Sequence, residues 1–179
     1  WILTSFVKYA TIPVVNMESA TSHPLQALAD AMTIEELKTK KRPKVVLSWA
    51  PHPKALPHAV ANSFIEMMQS IDVDFSITHP EGYDLDPNIV KETPVSYLQE
   101  EALKTADFIY VKNWSNYNAY GENTSQCSSW MMTKDKLGSA TFMHCLPVRR
   151  NVVVECSVLD SEQSAVIKQS NNRTYAAQL

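Results

Sequence analysis

Five short apolar runs, each bounded by polar or proline-containing turns, recur along the chain: IPVVN at residues 12–16, KVVLSW at 44–49, VDFSIT at 73–78, FIYVK at 108–112 and TFMH at 141–144. Their continuous, β-branched character suits strands covered on both faces, the environment of a mostly parallel sheet. Such a sheet needs crossovers, and helical patterns lie between several of the runs. Residues 57–71 put Val60, Phe64, Met67, Met68 and Ile71 at helical spacing, and residues 97–105 read as another helix. Strand, helix, strand order predicts an α/β fold: a parallel sheet flanked by helices, Rossmann-like, with right-handed crossovers.

The first part of the chain is poorer in elements. Residues 24–32 predict one helix, and Thr33 followed by Glu36 has the spacing of a capping box that would start a short second one. The basic stretch KTKKRP at 38–43 ends in proline and suits a surface connection. A domain boundary is therefore expected near Lys38. Residues 1–37 hold one strand and two or three short helices, too little for a core of their own, and look like the tail of another domain; residues 38–179 form the main unit. Trp1 opens directly into an amphipathic stretch with neither an initiator Met nor a signal core, so the chain is expected to begin part-way through a longer protein.

Composition removes several function classes. Sixteen Lys and Arg against 19 Asp and Glu give a net charge of −3, with no basic run able to grip a polyanion, which argues against nucleic acid. Three glycines cannot build a GxGxxG or GxxxxGK loop, which argues against nucleotide binding. The three cysteines, Cys127, Cys145 and Cys156, show no CxxC spacing. Neither a disulfide framework nor a structural zinc site is expected, no metal or other cofactor is called for, and a reducing, cytoplasmic setting fits best. His58 and His79 have no metal-ligand spacing, and no apolar run approaches the roughly 18 to 20 residues of a membrane helix.

In open parallel sheets, ligands gather beyond the carboxyl ends of the strands. The polar residues just after the predicted strands are those at 18–26, His52, Lys112 with Asn113, and those at 144–150. In MESATSHPLQ, residues 17–26, Ser22 is a possible cap and Pro24 suits a first helical turn, whose free amides favour an anion. His23 and Gln26, three apart, project from the same side of that turn and can hydrogen-bond a carbonyl or phosphate oxygen; read alone, the segment is equally a capped helix. In MHCLPVRR, residues 143–150, the chain turns at Pro147, where backbone carbonyls can accept from an amide and the two guanidinium groups can hold carboxylate or phosphate. A Cys145 nucleophile paired with His144 is disfavoured, because adjacent strand residues point to opposite faces.

HPLQ at 23–26 and HCLPVRR at 144–150, in this order, resemble the HPxQ and HCLP signatures of the ornithine and N-acylornithine carbamoyltransferases. The resemblance spans essentially the whole chain. It implies a carbamoyl phosphate site formed by His23, Pro24, Leu25, Gln26, Cys145, Leu146 and Arg173, the last in an Asn-Arg-Thr segment that otherwise reads as a surface Arg opening a C-terminal helix. His23, Gln26, Cys145 and Arg149 are the implied catalytic set, and Glu18, His52, Lys112, Leu146 and Arg149 the implied amino-acid pocket. Where ornithine enzymes carry an Asp after the equivalent of residues 108–111, this chain has Lys112, which suits an acylated α-amino group with a carboxylate to pair. Val153 stands where the acetylornithine type carries a pocket Lys, which leans towards N-succinyl-L-ornithine over N-acetylornithine or ornithine.

The implied reaction is attack of the neutral δ-amine on the carbamoyl carbon of carbamoyl phosphate with loss of phosphate, as in arginine biosynthesis. The family's principal phosphate clamp, a Ser-x-Arg-Thr segment, is not found in these residues. The isolated chain is accordingly expected to turn over little, its full-length parent to be a homotrimer, and the alternative is a truncated, non-catalytic binding module.

Overall fold

The structure, a computed structural model, describes residues 2–119 and 125–178; Trp1 lies outside them. Four of the five apolar runs form strands of one sheet: β1 (Lys44–Trp49), β2 (Asp74–Thr78), β4 (Phe108–Lys112) and β5 (Thr141–Met143). The fifth strand is not residues 12–16 but β3 (Val95–Ser96), a two-residue pairing of Val95 and Ser96 with Ile77 and Thr78. Residues 12–16 are irregular and exposed except for Asn16, with no strand beside them among the described residues. A β-branched run without a partner to take its backbone hydrogen bonds does not become a strand.

All neighbours are parallel, in the order β3-β2-β1-β4-β5. Both faces are covered, which explains why the runs are continuously apolar rather than alternating. On one face Val45, Leu47, Trp49, Phe75, Ile77, Phe108 and Tyr110 pack with Phe64 and Met68 of α3 (Ala59–Met68) and Ile34 of α2 (Pro24–Leu37). On the other, Val46, Ile109, Val111 and Phe142 pack with Leu103 of α5 (Gln99–Leu103), Leu137 of α6 (Lys134–Leu137) and Val158 of α7 (Cys156–Leu159). Short α1 (Ile2–Tyr9) has no buried residue, and α4 (Pro87–Val90) starts at an Asp86 cap.

Two local expectations change. Residues 24–37 form a single helix, not two. Thr33 does not cap a second one: its hydroxyl donates to the Ala29 carbonyl one turn back at 2.7 Å, a use open to Thr inside a helix. Ser22 does not cap α2 either. His23 occupies the cap position without a side-chain hydrogen bond, and Ser22 Oγ lies 3.2 Å from Ser63 Oγ of α3. Pro24 does take the first turn. The last helix, α8 (Val166–Ala176), packs along α2 and carries Arg173 in its last turn, not its first.

Candidate functional site

The strand order reverses beside β1, where connections leave in both directions and a crevice opens at the carboxyl ends. Trp49 and Lys112 are in register at the ends of β1 and β4, and the Ala50 amide continues the ladder to the Lys112 carbonyl at 3.1 Å. The topology therefore delivers His52, three residues beyond Trp49, next to Lys112. Beyond β5 the chain runs into His144, Cys145 and Leu146, and Leu146 takes a left-handed φ of 52° before a cis bond to Pro147. For a branched side chain that φ is uncommon.

Lys112, half-buried, is the charge common to the site. It acts on His52, His144, Cys145 and, from the other end of the sequence, His23. Burial holds the His23 imidazole below its ordinary range; Glu18, whose Oε2 is 3.7 Å from Nε2, opposes this, and Arg173 and Lys112 add to it. Partial burial lowers His52 likewise, with Lys112 and Arg149 contributing, while its Nδ1 lies 2.9 Å from the Lys54 carbonyl oxygen. His144 is held down to about 3 by burial first and by Lys112 and His52 after it. Its Nδ1 accepts from the Leu146 amide at 2.9 Å, which requires the neutral ring. Burial raises the Cys145 thiol, so this sulfur is a poor nucleophile at neutral pH.

Glu18, His23, His52, Lys112, Cys145, Arg149 and Arg173 are thus drawn around one cationic crevice from five separate segments. Two adjustments follow. Arg150 is already engaged, its fork meeting both oxygens of Asp160 at 2.6 Å, so only Arg149 of the pair is left for a ligand. Val153 is 1% exposed in the second core and does not touch the crevice; its neighbour Val152 does, lining a cleft of about 360 Å³ with Pro51, His52, Met131 and Asn151.

Beneath the crevice lies a buried chain of hydrogen bonds that sequence reading missed. Gln26 Nε2 donates to Asp30 Oδ1 at 2.6 Å, Gln169 Nε2 donates to the same oxygen at 2.6 Å, and Gln169 Oε1 accepts from the His144 amide at 3.0 Å. Asp30 and Gln169 are fully enclosed and Gln26 nearly so. The one available signal was an Asp inside the apolar stretch ALADAM, one helical turn after Gln26. The two motif segments are therefore joined physically. Among the described residues no group of three His, Cys, Asp or Glu stands close enough to hold a metal, and no helix is long and apolar enough to cross a membrane.

The profile of the aspartate/ornithine carbamoyltransferase Asp/Orn binding domain matches residues 57–178, and that of the carbamoyl-P binding domain matches residues 2–36. The chain belongs to the aspartate/ornithine carbamoyltransferase family. N-succinylornithine carbamoyltransferase of Bacteroides thetaiotaomicron is 50% identical over 181 residues, which cover 98% of this chain and 57% of that protein. N-acetylornithine carbamoyltransferase of Xanthomonas axonopodis pv. citri is 32% identical, over 97% of this chain and 57% of that protein. Among solved structures, a variant N-acetyl-L-ornithine transcarbamylase complexed with carbamyl phosphate and N-succinyl-L-norvaline superposes with a TM-score of 0.89 at 31% identity, covering 99% of this chain and 60% of the other. This family member thus spans about three-fifths of the length of the relatives it matches.

Proposed function

We propose that the crevice binds N-succinyl-L-ornithine beside carbamoyl phosphate, and that the full-length protein transfers the carbamoyl group to the substrate δ-amine in arginine biosynthesis. The carrying observation is the buried hydrogen-bond chain from Gln26 through Asp30 and Gln169 to the His144 amide, which brings the two motif segments together. The identity to N-succinylornithine carbamoyltransferase, 50% against 32% for the acetylornithine enzyme, supports the choice of acyl group.

In this reading residues 1–37 end a carbamoyl phosphate-binding domain and residues 38–179 form the amino-acid-binding domain. Carbamoyl phosphate meets His23, Pro24, Leu25 and Gln26, the backbone carbonyls of Cys145 and Leu146, and Arg173. Gln26 Oε1 is a buried polar atom with no partner, and a carbamoyl NH2 is a donor suited to it. Glu18, His52, Lys112, Leu146 and Arg149 hold the acylornithine, with Lys112 and Arg149 supplying cations for its carboxylates. Catalysis is then positioning: the neutral amine is held in line with the carbamoyl carbon, the C–N bond forms as the C–O bond to phosphate breaks, the surplus amine proton leaves with the phosphate, and Arg173 stabilises the departing anion. The proposed parent is a cytoplasmic homotrimer without a cofactor.

Calorimetric titration of the 179-residue chain with N-succinyl-L-ornithine tests the pocket. Binding should weaken at least tenfold in Lys112→Ala and in Arg149→Ala, and unchanged affinity in both would defeat the assignment.

A further inference from the structure

Asp30 is fully enclosed, makes no ion pair among the described residues and would sit outside the ligand contacts named above. A carboxyl group is costly to enclose without hydrogen-bond partners, and Asp30 finds them in two glutamines. Oδ1 takes a hydrogen bond from each of two glutamine amides, one belonging to the HPLQ segment and the other to Gln169, 139 residues away, which in turn accepts from the backbone of the HCLP segment. A glutamine amide can sit either way round, presenting NH2 or oxygen in a given direction. An acceptor at Asp30 removes that freedom: it draws the Gln26 NH2 inward and leaves Gln26 Oε1, buried and unpartnered, as the group presented for pairing. It does the same to Gln169, whose oxygen then faces the His144 amide.

We propose that Asp30 is a positioning residue for carbamoyl recognition: one carboxylate oxygen fixes the Gln26 amide so that its oxygen accepts from the carbamoyl NH2, and through Gln169 it sets the backbone at His144, from which the Cys145 and Leu146 carbonyls are presented. The inference rests on the proposed carbamoyl phosphate site. The Tyr110 hydroxyl and the Cys145 thiol lie beside Asp30, and Arg173 adds a positive field. The Tyr110 hydroxyl interacts with the Asp30 carboxyl more loosely than the two glutamines do, and the two 2.6 Å bonds to Oδ1 are the fixed part of the arrangement.

The test follows two ligands separately by NMR titration of the 179-residue chain, with side-chain amides labelled: phosphonoacetamide, the non-hydrolysable methylene isostere of carbamoyl phosphate, and N-succinyl-L-ornithine. In the wild type, phosphonoacetamide should move the Gln26 side-chain amide resonances. Asp30→Ala should weaken phosphonoacetamide at least tenfold and leave N-succinyl-L-ornithine within about twofold, whereas Asp30→Asn, which keeps an acceptor oxygen, should recover most of the loss. Unchanged phosphonoacetamide binding in a folded Asp30→Ala protein overturns the inference, and so does an equal loss of both ligands, which marks a structural role only. If Asp30→Ala does not fold, the near-isosteric Asp30→Leu, which also removes the acceptor, takes its place: loss of phosphonoacetamide alone supports the inference, and unchanged phosphonoacetamide binding or an equal loss of both ligands overturns it. A wild type that binds neither ligand fails the functional reading itself, an outcome distinct from binding that Asp30 does not affect.

Discussion

Asn172 and Thr33 are joined across the contact between α8 and α2 by a hydrogen bond of 3.0 Å from the Asn172 amide to the Thr33 hydroxyl, and the same amide reaches Glu36 Oε2 at 2.9 Å. Both partners of the first bond are buried. Asn172→Ala leaves Thr33 with only its bond to the Ala29 carbonyl and should cost about 1–2 kcal/mol of stability. Urea unfolding should show a lower midpoint at unchanged slope; an unmoved midpoint would contradict the strength assigned to this tie.

Two buried groups titrate in opposite senses. His144 is held down to about 3 from an ordinary 6.5, by burial and then by Lys112 and His52. Asp30 is pushed up to about 7 from 3.8 by burial, against hydrogen bonds from Gln169 and Gln26 and the charge of Arg173, with Tyr110 and Cys145 also facing it. Between roughly pH 4 and 6.5 the unfolded chain carries a proton on His144 that the native state lacks, and the native state carries one on Asp30 that the unfolded chain lacks, so the two slopes offset. Relative to wild type, Asp30→Asn should lose stability as pH falls from about 6.5, and His144→Gln should lose it as pH rises from about 4 towards 7, each by on the order of 1 kcal/mol per pH unit. Unfolding curves at three pH values in that window check this, and slopes of the same sign would refute it.

Cys145 is 7% exposed and its thiol is raised by burial, while Cys127 and Cys156 are half-buried. Maleimide at neutral pH should label Cys127 and Cys156 well before Cys145 in the native chain, as read by peptide mass after timed quenching. Early modification of Cys145 would reopen a nucleophilic role.

The two adjacent arginines should separate in function. Arg150 is committed to Asp160, whereas Arg149 acts on His52 at the crevice. Arg149→Gln should lower N-succinyl-L-ornithine affinity by about tenfold or more, and Arg150→Gln should leave it within about twofold, in calorimetry at low salt. Equal losses would move the ligand to the mouth of both side chains.

Much of the frame was legible because parallel strands buried on both faces write themselves as unbroken apolar runs. KVVLSW and FIYVK became β1 and β4 with the bounds expected of them, and VDFSIT and TFMH became β2 and β5 within one residue at one end. IPVVN failed because propensity cannot supply a neighbour. Val95–Ser96 was invisible because two residues of pairing leave no pattern. The site residues were flagged by their place after strands and by two short signatures. The Asp30 and Gln169 bridge was not, since nothing local to Gln169 announces that its amide will meet a carboxylate from the far end of the chain.

That bridge also sets an order of events during synthesis. Asp30 leaves the ribosome 139 residues before Gln169, an interval of roughly 10–30 s at ordinary elongation rates. Until then α2 lacks the helix it lies along, and a carboxylate destined for the interior stays in water. The nascent chain therefore passes through a stage in which the sheet can assemble while the face of α2 that meets α8 is still unsealed, a stage in which chaperones or proteases would find it most readily.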